Sequence, residues 1–253
     1  MKKLTIIYGG SVGLYQGYFR VFNEIEKSLG CIIKRVSYFK FITKINNTKV
    51  EFLFSDMPTK GKNYYLNKKY LATRWKELIP PPADEVATRI KNTDAVLFLG
   101  LCGGFHGKKG DIHTPEEFNE LLFKKTRISH KKDFKINPKT KIKLQNFLLS
   151  KIKAKKSRVV TSNMALTPDN AVNKDEEIII KLAQILRDHT EVVEMETYPI
   201  VKILGHKFPL GIMLMTSDLV HVKKHMMRHG KFTPHKNIFN KNCIRAIKIA
   251  LEI

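Results

Sequence analysis

The stretch Asp94-Ala-Val-Leu-Phe-Leu-Gly100-Leu-Cys-Gly-Gly-Phe105 decides the fold class. Asp94–Leu99 reads as a buried strand that runs straight into a glycine-rich turn. An unbroken apolar run of this length fits a strand covered on both faces. The glycines that follow let the backbone approach a ligand closely and take positive φ.

Other strands are expected at Leu4–Tyr8, Ile32–Phe39, Val50–Phe54, Arg158–Thr161, Glu191–Val193 and Leu210–Thr216. Between them lie helix signals at Tyr15–Leu29, Ala83–Lys91, Pro115–Lys124, Lys141–Lys151, Glu176–Arg187, Tyr198–Leu204 and Asn237–Leu251. Thr114-Pro-Glu-Glu117 has the form of a helix start, with Thr114 as N-cap, Pro115 at the first position and Glu117 closing a capping box. Asp56–Pro82, Arg127–Thr140 and Thr167–Asp175 read as irregular. Strands alternating with helices indicate a mostly parallel sheet with helices on both faces. Ligands of such sheets bind at the carboxyl ends of strands. Two more polar motifs fall at strand ends, Val193-Glu-Met-Glu-Thr197 and Met215-Thr-Ser-Asp218, and the first strand ends in Gly9-Gly-Ser-Val-Gly13.

Composition narrows the class. The chain has 253 residues and is 43% hydrophobic, enough for one large α/β domain spanning residues 1–253. No apolar run approaches the roughly 18–20 residues of a membrane helix. Met1-Lys-Lys-Leu-Thr-Ile-Ile-Tyr8 runs into a glycine loop, so it reads as a first core strand rather than a secretory leader, and a cytoplasmic location is expected. Cys31, Cys102 and Cys243 lie far apart without a CxxC, which argues against a disulfide framework and a zinc site. The net charge of +23 would attract phosphorylated substrates, anionic lipid or nucleic acid. Its densest cluster, Lys131–Lys156, has little aromatic interleaving. The stacking signature of a single-strand binder is missing, so nucleic acid is not the expected partner.

Taken in order, Leu99-Gly-Leu-Cys-Gly-Gly-Phe105 with Gly110-Asp-Ile112, then Val193–Thr197, then Met215–Asp218, resemble motifs of the nucleoside phosphorylase and nucleosidase superfamily. That superfamily cleaves the N-glycosidic bond between a base and ribose. The resemblance spans Asp94–Ile112 and Glu191–Leu251. It implies a three-layer α/β/α fold around a central, mostly parallel, twisted mixed sheet. It also implies a homo-oligomer, because members of the family complete their pockets with a neighbouring subunit, and it implies neither a cofactor nor a metal.

By the same resemblance, Glu196 would bind the ribose 2′- and 3′-hydroxyls while Met195 packs on the sugar. A carboxylate accepts two hydroxyl donors at once, and its charge suits the ribosyl cation that forms as the bond breaks. Asp218 would be the general acid that protonates the purine at N7. An aspartic acid doing this near pH 7 needs a desolvated pocket. Gly100, Cys102, Gly103 and Ser217 would form the turn beside the base, with Cys102 a packing residue. Gly9 and Gly10 would belong to an anion-binding loop, and Arg35, Arg127, Lys223 and Lys224 would be phosphate contacts. Read without the resemblance, Glu196 is a surface carboxylate at a strand end, and Asp218 an N-cap. Glu194, two residues before Glu196, would share its strand face. His106 and His113 read as structural.

The chain departs from the pattern in two places. Phosphorylases of the family carry an Arg just before the central turn and a Ser inside it, where this sequence has Phe98 and Leu101. Its methylthioadenosine hydrolases carry a water-activating Glu in the first loop, where Ser11–Tyr15 holds no carboxylate. The AMP nucleosidase-like branch fits better, with Gly-x-Cys-Gly-Gly and a Lys- and His-containing stretch like Leu219–His235. The expected activity is therefore hydrolysis of the N-glycosidic bond of a purine nucleoside or nucleotide. Phosphorolysis, with phosphate as co-substrate, and silent nucleoside binding are the alternatives.

Overall fold

The computed structural model describes residues 1–9, 15–55, 80–123, 134–136, 141–144, 147–149, 151–162, 176–220 and 233–252. Its spine is β1 (Lys3–Gly9), with β4 (Thr48–Ser55) parallel on one side and β5 (Ala95–Gly104) parallel on the other. β11 (Leu210–Leu219) continues parallel beside β5. Beyond it lie β6 (Ile112–Phe123), antiparallel to β11, then β9 (Lys155–Ser162) and β10 (Val192–Glu194), each parallel to its neighbour. β3 (Lys40–Ile45) and β2 (Lys34–Ser37) add an antiparallel edge beside β4, while β7 (Phe134–Ile136) and β8 (Ile142–Lys143) pair with β6. The sheet twists enough for β10 also to meet the tip of β5.

Helices cover both faces. Leu4, Ile6 and Tyr8 point to one side, with Val50, Phe52 and Phe54 from the next strand. They pack under α1 (Tyr15–Leu29) through Val21, Phe22 and Ile25, and under α5 (Thr233–Leu251) through Phe239, Cys243, Ala246 and Ile247. Ile7, Val96, Phe98 and Ile212 point to the other side. There they meet α2 (Ala83–Arg89) through Val86 and Ala87, and α4 (Thr197–Leu204) through Tyr198, Ile200 and Val201. α3 (Glu176–Arg187) precedes β10. This two-sided burial is why β5 is apolar at consecutive positions, and it gives the expected three-layer α/β/α arrangement.

Several local expectations fail for physical reasons. Pro115–Lys124 is not a helix; its described residues to Phe123 belong to β6. The capping pattern is a local preference, and pairing with β9 over His113–Leu121 overrides it. Register shifts between Pro115 and Glu117, so Glu116 is the bulged residue and the proline stands next to it, a position that sheets tolerate for proline. The described part of Lys141–Lys151 forms β8 and a 3₁₀ turn at Phe147–Leu149 rather than a helix. β3 lies outside the strands that the sequence predicts. It joins β4 through a two-residue hairpin in which Asn46 takes φ 52.

Phe52 and Phe54 fall in β4 and are spent inside the subunit, stacking on Tyr8 at 6.3 and 5.7 Å between ring centroids. The aromatics of Phe41–Pro82 are candidates for burial in the expected oligomer interface, but these two need no partner subunit. Tyr64, Tyr65, Tyr70 and Trp75 lie outside the described residues. Five described lysines of the basic cluster face four carboxylates. Lys141 and Lys143 face Glu117, Lys151 faces Glu252, Lys155 faces Asp111 and Lys156 faces Glu116. No described helix is long and apolar enough to cross a membrane.

Candidate active site

The tip of β5 organises the motifs. β11 runs alongside it with Leu214 opposite Gly100, Thr216 opposite Cys102 and Asp218 opposite Gly103. β10 runs along the other side in the opposite direction, with Val193 opposite Gly103 and Val192 opposite Gly104. Gly103 thus has Asp218 on one flank and Val193 on the other. Two strand spacings separate the Asp218 and Val193 backbones, about 10 Å. Glu196 follows three residues after Val193, so the Met-Glu and Ser-Asp segments flank one glycine. The Asp218 backbone is placed in β11, and its side chain lies outside the described residues. α5 begins only at Thr233, so Asp218 does not cap it.

The strand is not regular at this point. The pairing shifts between Thr216 and Asp218, which leaves Ser217 as a bulge, and its hydroxyl donates to the Cys102 carbonyl at 3.2 Å. Bulges beside a site re-aim the side chains that follow. Thr216 is clamped from three directions. Its N–H donates to the Asp111 carbonyl at 2.9 Å, and its carbonyl accepts from Gly110 N–H at 2.8 Å. Its hydroxyl bonds His113 Nε2 at 2.9 Å. His113 Nδ1 meets the Ser157 hydroxyl at 2.7 Å, and that hydroxyl donates its one proton to the Lys155 carbonyl. In the neutral ring one nitrogen donates and the other accepts, so both are satisfied between Ser157 and Thr216. Burial and the nearby Lys155 ammonium pull the His113 pKa down to about 4, so the ring is neutral. Asp111 reaches over Gly107, φ +86, to accept from Lys108 N–H at 2.9 Å and from Lys155 Nζ at 2.6 Å. Gly110-Asp-Ile112 is thus the clamp on the Ser-Asp strand. The sequence carried that motif but not the part His113 plays in it.

On the other flank the chain turns out of β10. Glu196, only 7% exposed, is the N-cap of α4 with φ −126 and ψ −28. Glu194 ends the strand, so the two carboxylates do not share a strand face. Glu194 turns back under α4 instead. Its Oε2 accepts from the N–H groups of Glu196 and Thr197 at 2.6 and 2.7 Å. Its Oε1 accepts from the Thr197 hydroxyl at 2.6 Å and from the Thr161 hydroxyl. Burial pushes the Glu194 pKa up, and these four donors oppose that rise. Met195 is half-buried beside it.

The glycines have specific neighbours. A Cβ on Gly9 would stand 2.2 Å from the Phe98 ring, one on Gly100 would stand 2.7 Å from it, and one on Gly104 would stand 2.9 Å from Thr216 Cγ2. Cys102 is a buried packing residue of the core under α2 and α4. The structure therefore brings Gly9, Gly100, Cys102, Gly103, Met195, Glu196, Ser217 and the Asp218 backbone to one region. It does not bring Arg35 there. Arg35 lies on edge strand β2, three strands from β1, with its guanidinium 4.3 Å above the Tyr38 ring. Gly10, Arg127, Lys223 and Lys224 lie outside the described residues.

No protein-family model matches the sequence, and no curated protein matches it significantly. Solved structures do. The 5′-methylthioadenosine/S-adenosyl homocysteine nucleosidase of Campylobacter jejuni aligns over 100% of both chains at 13% identity, with a TM-score of 0.60. The apo 5′-methylthioadenosine nucleosidase of Arabidopsis thaliana covers 99% of this chain and 96% of its own, at 13% identity and a TM-score of 0.59. A futalosine hydrolase mutant from Helicobacter pylori strain 26695 covers 100% and 99%, at 11% identity and a TM-score of 0.57. The overlap is full-length or nearly so in each case, and this chain has the fold of the nucleoside phosphorylase and nucleosidase superfamily.

Proposed function

We propose that the chain hydrolyses the N-glycosidic bond of a purine nucleoside or nucleotide at the tip of β5. The observation that carries this reading is the pairing of Gly103 with Asp218 on one side and Val193 on the other. In this reading Asp218 gives its proton to N7, and the base leaves with the electrons of the C1′–N9 bond. The Glu196 carboxylate holds the ribose hydroxyls and offsets the positive charge on the sugar. Water adds its oxygen to C1′, and the proton it releases to solvent balances the one taken up again by Asp218. The products are free base and the free sugar.

Water is favoured over phosphate by Phe98. The ring occupies the position where phosphorylases of this fold carry a phosphate-binding Arg, and it is fully buried against Gly9 and Gly100. A nucleotide suits the +23 chain better than an uncharged nucleoside. We also read the protein as a cytoplasmic homo-oligomer, and a monomer mass by light scattering at micromolar concentration would refute the assembly. The activity is tested by incubating the protein with AMP, adenosine, inosine, guanosine and methylthioadenosine, with and without phosphate. Free base is expected at a rate independent of phosphate. Phosphate-dependent release would establish phosphorolysis, and tight binding without release would establish a silent binding protein.

A further inference from the structure

We propose that Glu194 is a positioning residue that sets the backbone from which Glu196 reaches the sugar. This rests on the N-glycosidase reading above and adds a residue to it. A helix leaves its first N–H groups without intrahelical acceptors. In α4 they belong to Glu196, Thr197, Tyr198 and residue 199. Glu194 Oε2 takes the first two, at 2.6 and 2.7 Å. The Thr161 hydroxyl takes the third, at 2.9 Å from Tyr198 N. The fourth position is Pro199, which has no N–H.

The proton inventory closes as well. Thr161 and Thr197 each have one hydroxyl proton, and both are directed at Glu194 Oε1. Four donors meet two oxygens, and a carboxylate is the only side chain that accepts in all four directions. The network ties three elements together: β9 through Thr161, β10 through Glu194 and α4 through residues 196–198. The positive end of α4 is already neutralised by this buried carboxylate, which favours it there. Glu196 leaves the chain inside the network, because its own N–H is one of the four donors. Its place relative to Gly103 is therefore fixed by Glu194 rather than by the strand.

Glu194→Gln keeps the shape but turns an amide donor toward N–H or O–H donors. A misplacement of about 1 Å at a reacting group can cost roughly 10²-fold, and a loss of that order in kcat is expected. A double-mutant cycle separates positioning from general support of the fold. If Glu194 acts through Glu196, the Glu194→Gln/Glu196→Gln protein is about as slow as Glu196→Gln alone. If the two losses multiply, Glu194 acts independently and the proposal is overturned. Should Glu194→Gln not fold, Thr161→Val removes one donor to Glu194 together with the acceptor of the Tyr198 N–H, and Thr161→Ser restores both; the comparison then tests the network that Glu194 centres. A lowered kcat in the first and near-normal kcat in the second supports positioning, and a normal kcat in Thr161→Val overturns it. A Glu196→Gln protein with unchanged kcat would instead remove the sugar-site reading, and the inference about Glu194 with it.

Discussion

Phe98 leans along β5 so that its ring covers the Cα of Gly9 on the neighbouring strand, 2.2 Å from where a Cβ would be. The two residues are matched in size across β1 and β5, and neither can grow without the other shrinking. Phe98 contacts Gly100 in the same way, so one ring accounts for two of the glycines at the end of the sheet.

Gly9→Ala should destabilise the fold. The ring is fully buried and cannot swing into solvent, so overpacking of about 1–3 kcal/mol is expected. Urea unfolding would show a lower midpoint. Adding Phe98→Leu to Gly9→Ala should return part of the loss, and a double variant that is simply worse than either single one would refute the pairing.

His113 makes stability depend on pH. Its folded pKa of about 4 lies below the ordinary value of 6.5, so the unfolded chain takes up a proton first as pH falls. The neutral ring's contribution is whole above pH 6.5 and is lost progressively toward pH 4. It amounts to about 3 kcal/mol at most. A His113→Gln protein lacks this titration, so the stability gap between it and the wild type should narrow from pH 7 to pH 4.5. A constant gap would show that His113 is not held neutral.

Glu51 has the opposite charge and acts lower on the pH scale. It is buried in β4, which alone would raise its pKa, but the ammonium groups of Lys3 (2.8 Å) and Lys40 outweigh burial and hold it below the usual carboxylate range. The contribution of these pairs is present above the ordinary glutamate range and disappears as pH falls through the depressed folded value. Glu51→Gln should cost about 1–3 kcal/mol at pH 7, because two ammonium groups lose their partner. Thermal melts at successively lower pH should bring the two proteins together. A variant as stable as the wild type at pH 7 would mean the cluster contributes nothing net.

Asp218→Asn separates a general acid from a structural aspartate. Asparagine still donates a hydrogen bond but cannot transfer a proton, so purine release should fall by roughly 10²–10⁴-fold. A nitrophenyl riboside leaves without protonation and should be spared if the pocket accepts it. Equal, large losses on both substrates would remove the general-acid role.

The sequence was most legible where local pattern and tertiary context agree. α1 and α3 match the sequence reading to their residue limits because their apolar spacing follows the helix period. β5 matches only as far as Leu99: Gly100, Gly103 and Gly104 do not form the expected turn but continue the strand without positive φ, because β11 and β10 pair with them. β6 was not legible. Its partner β9 begins more than thirty residues downstream, and nothing in Thr114-Pro-Glu-Glu117 reports it. The Asn46-Asn47 pair between two apolar runs is the local signal for the β3–β4 hairpin. Within the site, Glu196 stands just past the end of β10 as the N-cap of α4, and the Asp218 backbone lies in the last residues of β11. Glu194 does not share a face with Glu196, because the strand period of two ends at Glu194, where the chain turns into α4.

The shared partner of Val193 and Asp218 makes the tip of β5 a ruler. β11 runs with it and β10 runs against it, so losing or gaining one residue between Gly100 and Gly104 would slide the two flanking segments in opposite senses along their own chains. One strand would offer Ser217 or Leu219 where Asp218 stood, while the other moved its turn toward or away from Gly103. Side-chain changes at the tip alter packing one position at a time. A change in its length would uncouple both carboxylates at once, so insertions and deletions there should be far less tolerated than substitutions.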